Sequence, residues 1–135
     1  FNKCVELLGD LDIQSFEQIG MGHTVGESLT RKFEFILNEK VFFTEAFRSD
    51  DRNSLKEHDF ELILQFYTDL LARKDSRALD QELHFLLEMY CQGSVYMTVK
   101  WVLGGRKDSP QAMSAKLVDA MPPKLANVFE RLKLL

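Results

Sequence analysis

Twenty-four consecutive residues, Asp80–Leu103, contain no proline and one glycine, and they carry more apolar surface than one helix face can hold. Leu83, Leu87, Tyr90, Ser94, Met97 and Trp101 recur at intervals of 4, 3, 4, 3 and 4. Phe85, Met89, Tyr96, Val99 and Leu103 form a second stripe. At about 100° per residue the two stripes lie more than a quarter turn apart. One can serve the chain's own core, and the other demands a further partner. The Leu83–Leu103 part is apolar enough to raise the question of a membrane span. His84, Glu88, Gln92 and Lys100 interrupt it, and charges at membrane depth are costly, so a buried helix of a soluble protein with no membrane partner is expected.

The remaining segments also read as helices. Thr24 and Glu27 have capping-box spacing, ahead of Leu29, Phe33, Ile36 and Leu37 at helical intervals. A short helix follows over Lys40–Arg48, then a polar turn at Ser49–Asn53. Ser54 with Glu57 makes a second capping box, opening a helix to Lys74 with Leu55, Leu62, Ile63, Phe66, Tyr67, Leu70 and Leu71 as its stripe. A polar connector, Arg73–Arg77, leads to the long segment, which Gly104–Gly105 stops. Ser109–Pro110 pairs an N-cap with proline at the first helical position, and Pro122–Pro123 ends that helix. Ala126–Leu135 reads as a last short helix. At the front, Phe1–Leu8 reads as a helical fragment ending at Gly9, and Gly9–Gly26, with four of the seven glycines, as the least regular stretch. No strand alternation and no internal repeat occur, so the fold class is all-α.

A chain of 135 residues with 45% hydrophobic and 28% charged residues fits one globular domain rather than a disordered tail. A formal charge of −4 provides no basic field for phosphates, which argues against direct nucleic-acid binding. Cys4 and Cys91 make no disulfide framework, so a reducing cytoplasm is the simplest setting. The chain opens with Phe1 rather than Met, the mark of a fragment or a processed chain.

Catalytic chemistry is hard to find. His23, His58 and His84 each lack a second histidine at ligand spacing, and His84 with Glu88, Gln81 and Gln92 reads as a solvated strip rather than a metal site. Gly20, Gly22 and Gly26 are spaced GxGxxxG with no strand before them and no Lys-Ser/Thr pair after, which favours a connector over a phosphate loop. Cys91, inside an apolar run, reads as packing. No enzyme, metal or cofactor is expected.

Taken in order, FFTEAF at 42–47 with Asn53–Ser54, MYCQGSVYMTVKWVLGG at 89–105 and SPQAMSAKLVDAMPP at 109–123 resemble the C-terminal domain of TetR-type bacterial transcriptional regulators. The similarity runs over roughly Arg31–Lys124. It implies a homodimer built from the long C-terminal helices, with Phe85, Met89, Tyr96, Val99, Leu103, Met113 and Leu117 at the interface. It also implies an effector pocket in the bundle, for a small apolar or amphipathic molecule or a partner protein, lined by Phe43, Phe47, Ile63, Tyr67, Tyr90, Ser94 and Met97. Residues 1–8 would end a linker helix and 9–135 would form the sensing and dimerisation domain. Duplex DNA would be bound only through an N-terminal helix-turn-helix head missing from this sequence. The rival expectation is a headless helical module that binds a partner protein and no small molecule.

Overall fold

The computed structural model describes residues 2–75, 79–105 and 107–135, apart from the side chains of Asn2 and Cys4. The first residue of the front segment, Phe1, and two of the Arg73–Arg77 connector, Ser76 and Arg77, lie outside the described residues. Seven helices follow one another among those described: α1 Asn2–Phe16, α2 Val25–Asn38, α3 Lys40–Arg48, α4 Arg52–Lys74, α5 Gln81–Leu103, α6 Pro110–Asp119 and α7 Pro123–Arg131. The chain is all-α, and no described helix is long and apolar enough to cross a membrane.

Two sequence signals set their helices as expected. Thr24 Oγ1 accepts from the Glu27 amide at 3.2 Å while Glu27 Oε1 accepts from the Thr24 amide at 3.0 Å, a complete capping box. Ser109 Oγ accepts from the Ala112 amide at 3.1 Å ahead of Pro110. The Ser54 box does not form, because α4 begins at Arg52 and Ser54 falls inside its first turn. The last helix starts at Pro123 rather than Ala126 and ends at Arg131, since a proline at the first helical position gives up no hydrogen bond.

The larger departure is at the front. The helix does not stop before Gly9 but runs on to Phe16, and it packs against α2 and α4. Leu8, Leu11, Asp12, Ser15 and Phe16 are all buried there. Tertiary burial therefore outweighs the roughly 1 kcal/mol that a mid-helix glycine costs. The irregular stretch shrinks to the α1–α2 turn, where Gly20 and Gly22 take φ of +82° and +98°, conformations that side-chain-bearing residues rarely adopt.

The remaining layers close around α2, whose broadest contact is with α6, while α4 lies along α5. Phe129 of α7 meets Tyr67 edge-on at 5.7 Å, and the Val25 amide donates to the Leu134 carbonyl at 2.8 Å, tying the C-terminal tail to the start of α2. Trp101 packs on Phe33 at 5.2 Å and donates its indole N–H to the Asp108 carbonyl at 2.9 Å, which holds the α5–α6 turn.

Candidate functional site

The interior holds a cluster of charge that the hydrophobic pattern conceals. Asp12 of α1, Lys32 of α2 and Asp59 of α4 are each at most 4% exposed. Lys32 Nζ donates to both Asp59 oxygens, at 3.2 and 3.3 Å, and stands 2.7 Å from Asp12 Oδ1. It also lies 5.6 Å from the centre of the Phe16 ring. Burial pushes the lysine toward neutrality, but two carboxylates outweigh it and raise its pKa. Burial likewise pushes Asp59 up, yet the ammonium beside it holds its carboxyl below the ordinary value.

Asp12 goes the other way. Burial and the Asp59 charge raise its pKa well above 3.8, and the lysine 2.7 Å away does not reverse that. The physical reason is that one ammonium is shared by two carboxylates. Lys32 stands closer to Asp12, but its well-aligned hydrogen bonds among the described residues go to Asp59. The two carboxyls are thus pushed apart, Asp12 above the ordinary value and Asp59 below it. The hydroxyls of Ser15 and Ser28, also buried, have no hydrogen-bond partner among the described residues. Asp12 with Ser15 on α1 and Ser28 with Lys32 on α2 thus form a polar band between two helices.

Next to this cluster is a cavity of about 10 Å³, walled by Lys32, Phe33, Asp59, Ile63, Tyr67, Ser94 and Thr98 among others. That is room for a single water molecule. Of the seven residues expected to line a pocket, it brings together Ile63, Tyr67 and Ser94. Phe43 and Phe47 stand elsewhere, stacked on each other at 6.2 Å with Phe42 and Phe35 around them as solid core. Tyr90 and Met97 face a second hollow of about 260 Å³ between α5 and α6, with Met89, Gly93 and Leu117. The separation follows from helix geometry. The buried residues of α5 are Leu87, Tyr90, Cys91, Val95, Thr98, Trp101 and Val102, and Tyr90 at the edge of this face and Met97 beyond it sit roughly a quarter turn from its centre. The Tyr90 hydroxyl donates to the Leu117 carbonyl, and burial pushes its pKa up. Cys91, fully buried, has its thiol pushed up to about 12 by burial, so it packs rather than reacts.

The opposite face of α5 is bare. Phe85, Met89 and Tyr96 are 63%, 60% and 64% exposed, which for large apolar side chains on one stripe demands an explanation. Val99 and Leu103 are half-buried on its margin. Met113 and Leu117 do not belong with them: both are buried in the chain's own core, because α6 turns that face onto α2. His84, Glu88, Gln81 and Gln92 are exposed.

The bundle is all-α, with a polar cluster sealed inside and one face of its long α5 helix left uncovered. Residues 24–122 match the family profile described as the transcriptional regulator C-terminal region of TetR type. The chain belongs to that family. No curated protein and no solved structure matches it.

Proposed function

We propose that the chain is the sensing and dimerisation module of a TetR-type regulator, pairing through the bare face of α5 and reading an effector at the interior cavity. C-terminal domains of this family generally dimerise and bind small-molecule effectors. The observation that carries the reading is the exposed stripe Phe85, Met89 and Tyr96, three large apolar side chains side by side on one helix face. The sensing half draws on the cavity beside Lys32, Asp59 and Tyr67, where buried polar groups stand among apolar walls, the composition of a small-molecule site. A small molecule enters here only by forcing the cavity wider than one water, and doing so shifts the packing of α1, α2 and α4. Such a shift needs only 1–3 kcal/mol or so of differential affinity.

Light scattering of the chain at tens of micromolar tests the first half, with a dimer expected and a monomer refuting it. Thermal melts against a panel of small amphipathic molecules test the second. A binder raises Tm by an amount that grows with the logarithm of its concentration above Kd, and Thr98→Leu, which fills the cavity wall away from the α5–α6 hollow, abolishes that shift while the dimer persists. The small size of the cavity favours one other reading, an interaction module with no small-molecule ligand. A dimer whose Tm no compound moves would establish that reading instead.

A further inference from the structure

Given that the chain dimerises, as proposed above, the face of α5 specifies how. Glu82, Phe85, Met89, Gly93, Tyr96 and Lys100 are all exposed, and their spacings of 3, 4, 4, 3 and 4 keep them on one narrow stripe. The stripe is self-complementary when reversed. Its ends carry opposite charges, aromatic residues come next, and the middle pairs a long side chain with none at all. We infer that two copies pack α5 antiparallel about a two-fold axis near Cys91. Lys100 then lies opposite the second copy's Glu82, Tyr96 opposite its Phe85, and Gly93 opposite its Met89.

Three observations support a second copy of this chain as the occupant. The first is charge. The reversed register sets glutamate against lysine at both ends, whereas a parallel one sets glutamate on glutamate and lysine on lysine. Glu82 already meets Lys124 within the chain, both well exposed, and Lys100 would enlarge that pair to a three-member network. The second is Gly93. It stands in mid-helix, where glycine costs about 1 kcal/mol relative to alanine, and a Cβ built there meets nothing within 4 Å. Nothing among the described residues calls for glycine there, but the backbone of a second helix approaching at that point does. The third is the hollow of about 260 Å³ beside Gly93, whose walls include Met89, Met97 and Leu117. A methionine from the opposite helix, flexible and apolar, suits so irregular a gap.

Cysteines distinguish this register from any other. Within one helix, positions 85 and 96 are about 16 Å apart, too far for a disulfide, and so are two copies of position 85 at about 18 Å. In the Cys4→Ser background, Phe85→Cys combined with Tyr96→Cys is therefore expected to give a covalent dimer under a mild oxidant, and neither single variant to do so. Independently, Glu82→Lys or Lys100→Glu alone raises the dimer Kd several-fold, and the two together restore it. A protein that stays dimeric by light scattering yet fails to crosslink, or crosslinks through a single cysteine, overturns the register and leaves the dimer standing. A monomer overturns both.

Discussion

The fate of the chain turns on a few charged residues placed where hydrophobic ones are the rule. Lys32 donates to both oxygens of Asp59, so Lys32→Met leaves a buried carboxylate without its ammonium. A loss of about 3–5 kcal/mol is expected in urea melts. Replacing all three residues together with apolar ones of similar volume costs far less, because no charge is then stranded. Asp12 supplies the pH dependence. With its pKa raised above 3.8, the folded chain holds a proton that the unfolded chain releases, so this group's stabilisation is full below 3.8 and declines as pH rises. Asp59, lowered, acts in the reverse sense, and its contribution is lost as pH falls below the ordinary carboxylate range. Asp12→Asn mimics the protonated acid and is expected to flatten the decline above 3.8 in denaturant melts taken from pH 4 upward. An unchanged slope would mean that the proton is not on Asp12. None of this was legible in the sequence, because each residue sits among other charges, Arg31 and Glu34 around Lys32, and Glu57, His58 and Glu61 around Asp59. The signal was positional: Asp59 falls one turn from both Leu55 and Ile63, on the stripe that goes inward.

At the scale of the element, the sequence spoke clearly wherever a local rule governed the outcome. Thr24 and Ser109 set two helix starts because capping is a contact between residues three apart. It failed where distant packing decided. Gly9 looked like a stop, and α1 continues because α2 and α4 bury its flanks. Of the first stripe of α5, Leu87, Tyr90 and Trp101 are buried as expected, yet Met97 is exposed and the inward face also takes in Cys91, Val95 and Thr98. Small and polar side chains weaken the periodicity that would have marked it. Gly93 gives the element its own prediction. Gly93→Ala adds helix propensity with no steric contact inside the chain, so it is expected to raise stability by about 1 kcal/mol at high dilution. The same methyl group obstructs close approach of a second helix, so the gain disappears as protein concentration rises. Denaturant melts at two concentrations separate these effects.

For the whole molecule, charge bounds what the bundle does unaided. A net charge of −4 supplies no overall attraction for phosphates, and electrophoretic shifts with duplex DNA are expected to be absent at submicromolar chain. A salt-sensitive shift there would contradict this. The buried cluster bears on the molecule in another way. Greasy helix faces can slide over each other by small steps, each nearly as good as the last. An ammonium held between two acids resists this, since moving α1 by one residue swings Asp12 by about 100° away from Lys32 and leaves a buried polar side chain without its neighbour. Helix α1 is therefore seated or unseated with no comfortable halfway point, and the bundle behaves as a detent rather than a spring.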